Sequence, residues 1–108
     1  MNRTVEVSSG NVFADLGLPN AEKLGAKVRL CAIINRILQD RGLTQVQAAQ
    51  VLGVSQPKVS ALKGYKLEGF SVERLMHFAT ALGHDVVIEI GPRAQSASKA
   101  QILIVGAG

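Results

Sequence analysis

The stretch Thr44-Gln45-Val46-Gln47-Ala48-Ala49-Gln50-Val51-Leu52-Gly53-Val54-Ser55-Gln56-Pro57-Lys58-Val59-Ser60-Ala61-Leu62 decides the fold. It has the pattern of two short amphipathic helices joined by a glycine turn. Thr44 can cap the first helix through its hydroxyl, and Gln47, three residues on, can reach back to the cap nitrogen. Ala48 and Ala49 place small side chains where a second helix must approach closely. Gly53 tolerates the positive φ that a sharp helix end often adopts. Val54, Val59 and Leu62 then supply the apolar contacts that hold the second helix on the first, which leaves Gln56, Lys58, Ser60 and Lys63 for the outer surface.

The second helix opens with Ser55 or Gln56 as its cap. Pro57 fits either choice, because the first turn of a helix has no intrahelical N–H bond to lose. The restriction on the residue before proline favours Gln56 as cap and Pro57 as the first helical residue. About 8 residues give a rod about 12 Å long, commensurate with a B-DNA major groove roughly 12 Å wide. The spacing is that of a DNA-reading helix-turn-helix.

On these residues the chain resembles the lambda-repressor-like (Cro/cI, or XRE) family of DNA-binding domains. The resemblance runs from about Leu30 to Leu82 and includes Gln45 at the start of the first helix of the pair, Ala49, Gly53 and the segment Val54-Ser55-Gln56-Pro57-Lys58-Val59-Ser60. Two flanking segments, Gly10-Asn11-Val12-Phe13-Ala14-Asp15-Leu16-Gly17-Leu18-Pro19 and Gly69-Phe70-Ser71-Val72-Glu73-Arg74-Leu75, resemble the HigA-like antitoxin branch. The resemblance implies an all-α, lambda-repressor-like helical bundle. It also implies that the Gln45 amide braces Gln56.

The 108 residues suffice for one small domain with tails. A composition 47% hydrophobic but only 4% aromatic suits a helical bundle built on Leu, Ile, Val and Ala. The formal charge of +4 favours an anionic partner, and its placement says more than its size. Between Thr44 and Leu67 the charged residues are Lys58, Lys63 and Lys66, with no Asp or Glu among them. Phosphate is attracted to such a segment. Cys31 stands alone and can form no intramolecular disulfide, so a reduced, cytoplasmic setting is expected. A charged-then-apolar leader is not seen, and Ile102-Leu103-Ile104-Val105 is too short to span a bilayer. A membrane is not among the expected partners.

Residues 1–19 are expected to form an N-terminal arm, with Val12, Phe13, Leu16 and Leu18 as anchors. A helix-turn-helix domain over 20–83 follows. Its first helix runs from near Asn20 to Arg41 on an apolar stripe of Leu30, Ile33, Ile34, Ile37 and Leu38, and Gly42 ends it. After the connection from Gly64 to Gly69, Ser71 can cap a last helix carrying Val72, Leu75, Ala79 and Leu82, with Gly83 closing it. The period then changes. Over 84–91 the alternation in Asp85-Val86-Val87-Ile88-Glu89-Ile90 predicts a short C-terminal strand with Val86, Ile88 and Ile90 on one face. A lone strand needs a partner. Its copy in a second subunit is the first reading, which makes those three the expected dimerisation residues; Thr4 to Val7 of the same chain is the alternative. Residues 92–108, rich in Gly, Ala and Ser, are expected to be mobile at least in part.

The candidate DNA-binding residues are Gln45, Ser55, Gln56, Lys58, Ser60, Lys63 and Lys66. The Gln56 amide can form a bidentate pair with adenine; helix capping is its plainer use. Lys58 and Lys63 can meet guanine or phosphate, and Lys66 phosphate, against the alternative of a solvated basic face. Gln45, at a helix start, sits where backbone N–H groups and the dipole favour phosphate. Ser60 suits a groove contact or an ordinary helix surface. His77 and His84 form no metal motif with Cys31, and no nucleophile motif joins Ser to His. No cofactor, metal or enzymatic activity is expected.

These residues lead to three expectations. The first is a homodimeric, sequence-specific repressor that places two copies of the second helix in successive major grooves of a palindromic double-stranded operator, about 34 Å apart. The second follows from the resemblance: an antitoxin that holds a HigB/RelE-like toxin through Val12, Phe13 and Leu16 and autoregulates a shared operon. The third is an interaction module that keeps the fold without specific DNA binding.

Overall fold

In the computed structural model, residues 4–5, 20–92 and 104–106 are described. Helix α1 spans Asn20–Asp40, α2 Gln45–Leu52, α3 Gln56–Lys63 and α4 Val72–Ala81; two short strands, β1 at Thr4–Val5 and β2 at Ile88–Glu89, flank them. The expected four-helix bundle is formed, and the first helix stops at Asp40.

Recurrence of apolar residues at three- and four-residue steps on α1 aims Ala26, Leu30, Ile34, Ile37 and Leu38 inward. Ile33 sits at the margin, packed against the core from its edge. Helix α4 meets this stripe with Val72, Leu75, Met76, Phe78 and Ala79, and the two helices form the main packing interface. Phe70, just before α4, sets its ring edge-on to Phe78 at 5.8 Å and 76°, a favoured aromatic geometry. Ser71 caps α4 by accepting from the Arg74 N–H at 3.0 Å. The small Ala48 and Ala49 of α2 are buried, where Val59 and Leu62 of α3 complete the core. Across the bottom of the bundle, Arg41 donates to the Leu82 carbonyl at 3.0 Å.

All four described helices end in the same way. An N–H reaches back five residues to a carbonyl of the last turn: Leu43 to Leu38 at 3.1 Å, Val54 to Ala49 at 3.0 Å, Lys66 to Ala61 at 2.9 Å and His84 to Ala79 at 3.0 Å. This closure requires the residue before the donor to be left-handed. Gly42 (φ 61°), Gly53 (φ 69°) and Gly83 (φ 86°) fill that position in α1, α2 and α4. In α3 it is Tyr65, at φ 57°. A side chain makes this conformation cost about 1–2 kcal/mol. Gly64, one position earlier, has an ordinary φ of −88°.

Strand β2 is narrower than the alternation predicts, two residues instead of six. It pairs antiparallel with β1, Thr4 opposite Glu89 and Val5 opposite Ile88. Within the chain, the partner is thus the segment that the sequence offered as the alternative. Val86, Val87 and Ile90 remain exposed, and Ile88 is half-buried. Within the tail, Ile104 packs against the core and its carbonyl accepts from Arg29 Nε at 3.4 Å. Gly106 lies so close to Ile33 that a Cβ would collide with that side chain. Val12, Phe13 and Leu16 lie outside the described residues. No described helix is long and apolar enough to cross a membrane.

Candidate nucleic-acid interface

Local chemistry fixes where α2 and α3 begin. Thr44 Oγ1 accepts from the Gln47 N–H at 3.1 Å, while Gln47 Oε1 accepts from the Thr44 N–H at 2.9 Å. Both halves of the expected capping box are made, and two orphan donors are satisfied. Helix α3 starts on Ser55, whose hydroxyl accepts from the Lys58 N–H at 3.4 Å. This corrects the preference for Gln56 as cap. Ser55 already has the extended backbone of a cap (φ −74°, ψ 160°), so Gln56 is the first helical residue and Pro57 the second. Pro57 still removes no helical hydrogen bond, because its N–H would have had no partner in the first turn. The Gln56 side chain is thereby left free of the capping task.

Three side chains from outside α3 hold it in place. Gln45 Nε2, from the start of α2, donates to the Gln56 carbonyl at 3.0 Å; the brace implied by the family resemblance exists and lands on the backbone. At the other end, the Leu62 carbonyl accepts from the Cys31 thiol at 3.0 Å and from Asn35 Nδ2 at 3.2 Å. Both donors stand on α1, one turn apart. Burial pushes the Cys31 pKa up to about 11, with the Asn35 contact partly opposing the rise. The sulfur therefore stays a thiol, the form that can donate. Cys31 and Asn35 were not among the expected site residues. Their four-residue spacing on the margin of an apolar stripe was the available signal, but which helix they would touch depends on the packing of elements some thirty residues apart.

With Val59 and Leu62 buried, the helical period turns Pro57 and Ser60 outward and Gln56 to the flank. All three are exposed, as are Ser55, Lys58, Lys63 and Lys66. Lys58 and Lys63, five residues apart, leave the helix on flanks separated by about 140°. The two flanks differ. Lys58 Nζ sits over the Phe70 ring, 5.1 Å from its centroid, and a Cβ on Gly69 would lie 2.9 Å from that nitrogen. Lys63 borders a shallow cleft with Asn35, Leu38, Gln39, Gly42 and Leu43. Gln45, at the mouth of α2, is half-buried. Among the described residues the one ion pair is Arg36–Asp40 on α1, so the three lysines around α3 carry unpaired charge. No group of three His, Cys, Asp or Glu side chains gathers among those residues.

A polar, cation-flanked helix braced at its start by a capped partner helix and at its end by α1 defines a helix-turn-helix unit. A family model described as a helix-turn-helix domain matches residues 12–91. Among solved structures, a chain named "Putative XRE Family Transcriptional Regulator" is similar over 82% of this chain and 100% of its own, with 48% sequence identity and a TM-score of 0.78. None of the curated proteins matches. The chain belongs to the XRE-like helix-turn-helix family.

Proposed function

We propose that the protein is a DNA-binding transcription regulator that reads a double-stranded operator with α3. The observation that carries this reading is the exposure of Gln56, Lys58, Ser60 and Lys63 on a helix whose opposite side is fixed by Val59, Leu62 and the bonds from Gln45, Cys31 and Asn35. Gln56 and Lys58 discriminate bases. Gln45, Ser55, Ser60, Lys63 and Lys66 set register on the phosphates or at the groove edge. The XRE-type name of the structural relative supports the same reading. Replacing Gln56 by Ala is expected to lower affinity for a duplex selected from a random pool by about tenfold, the lower part of the range for one bidentate base contact, with little change on mixed-sequence DNA. Equal losses on both duplexes remove Gln56 from base recognition.

The regulator acts as a homodimeric repressor in this proposal. Support comes from the apolar run around β2, where Val86, Val87 and Ile90 are exposed while Ile88 pairs with β1; Val86, Ile88 and Ile90 join two copies. A concentration-dependent doubling of mass, abolished by Ile90→Asp, is the expected result, and a monomer at all concentrations contradicts it. The likeness of the flanking segments to HigA-type antitoxins supports a further role: autoregulation of a toxin–antitoxin operon, with Val12, Phe13 and Leu16 gripping a HigB/RelE-like toxin in the cytoplasm. Binding of such a toxin that survives removal of residues 1–19 excludes the arm.

A further inference from the structure

The three glycine-closed helices frame an exception at the fourth. Helix α3 ends on a left-handed Tyr65, although Gly64 stands next to it in a conformation open to any residue. An aromatic side chain in this region of backbone space is an outlier, and such outliers persist where the side chain has a use. Among the described residues Tyr65 shows no such use. It is 46% exposed and belongs neither to the core cluster nor to the Phe70–Phe78 pair. Its hydroxyl has no hydrogen-bond partner among the described residues.

Its position supplies the use. The N-terminal part of α3 meets base edges in the proposed reading, and the rod is about as long as the major groove is wide. Its C-terminal end therefore arrives at the groove wall, which is sugar and phosphate. Tyr65 stands two residues beyond that end, between the exposed Lys63 and Lys66; Glu68 is the nearest carboxylate in sequence and lies on the turn beyond. Tyrosine is among the side chains that donate to phosphate oxygens in protein–DNA interfaces. We propose that Tyr65 is a DNA-contacting residue whose hydroxyl donates to a backbone phosphate at the wall of the groove that α3 enters, and that the left-handed turn is retained at Tyr65 to aim it there. The proposal rests on the DNA-binding reading above.

The test separates binding from stability, because the two move in opposite directions. Tyr65→Gly and Tyr65→Phe are compared with the wild type on a mixed-sequence duplex of about 20 base pairs by fluorescence anisotropy, alongside thermal unfolding. Tyr65→Gly should melt at the wild-type temperature or up to about 5 °C above it, yet bind the duplex about five- to tenfold more weakly. Tyr65→Phe should show most of that loss, since it keeps the ring and removes the donor. Because the phenol is uncharged, neither variant should alter the slope of log affinity against log salt, whereas Lys66→Ala should. Tyr65→Gly binding as tightly as the wild type, or Tyr65→Phe matching the wild type, overturns the proposal while leaving the DNA-binding reading intact. A Tyr65→Gly melting temperature well below that of the wild type also overturns it, by showing that the side chain supports the fold. No binding by the wild type overturns both readings.

Discussion

Helices α2 and α3 are of equal length, eight residues each, and both start on a hydroxyl cap. Their ends differ. Helix α2 closes on Gly53, with Val54 turned onto the core; α3 closes on Tyr65, followed by the exposed Lys66. Two consecutive helices with one backbone solution thus carry opposite side-chain choices, apolar and unstrained in one, polar and strained in the other. The difference fits the proposed reading, with α2 as support and α3 as the working surface. It also locates where local stability has been given up.

The contrast is broken most forcefully at the buried side of α3. Leu62→Ala is expected to cost about 2–5 kcal/mol in urea denaturation, because it opens a cavity under the helix. Ser60→Ala, on the outward side, should stay within about 0.5 kcal/mol. Comparable costs for the two would mean that α3 does not have one buried and one free side. Next in size is the glycine closure. Gly53→Ala is expected to destabilise by about 1 kcal/mol, in the opposite sense to Tyr65→Gly, and a Gly53→Ala variant as stable as the wild type would erase the distinction between the two helix ends. Thr44→Ala, which removes one half of the capping box, should cost about 1 kcal/mol. Gln45→Ala should cost about the same or less, and it alone of these two should also weaken DNA binding, because the brace it removes positions α3.

The remaining effect is confined to alkaline pH. Cys31 has its pKa raised to about 11 from 9.0 by burial, so above pH 9 the unfolded chain releases a proton that the folded chain retains. Stability contributed by the neutral thiol is complete below pH 9 and declines as pH rises from about 9 to about 11. Cys31→Ser, which keeps a donor for the Leu62 carbonyl, should remove this decline; its persistence in Cys31→Ser would assign the loss to other groups.

What was legible in the sequence is what depends on near neighbours. Thr44 and Gln47 are three residues apart, so the capping box follows from spacing, and so do the turn at Gly53 and the cap at Ser71. Pro57 was legible as a first-turn residue but not its register, because Ser55 and Gln56 are both competent caps and the choice rests on backbone angles. The strand shows the opposite case. Alternation announced β2, but its partner lies over eighty residues away at Thr4–Val5, and nothing local to residues 84–91 selects it over a second subunit. The outward residues of α3 could be named from the helical period, whereas the resting place of Lys58 on Phe70 needs the loop that brings residue 70 back to α3. Tyr65 was hidden by its neighbour: Gly64 looks like the closing glycine, and only the backbone shows that the turn falls one residue later.

The most direct test of the account is residue-by-residue mapping of backbone amide shifts by NMR as duplex DNA is added to the full chain. The expected result is a set of salt-sensitive shifts at Gln45 and from Ser55 through Lys66, with α1 and α4 little changed. Shifts confined to Val86–Ile90 or to the outer side of α1, with α3 unperturbed, would contradict it.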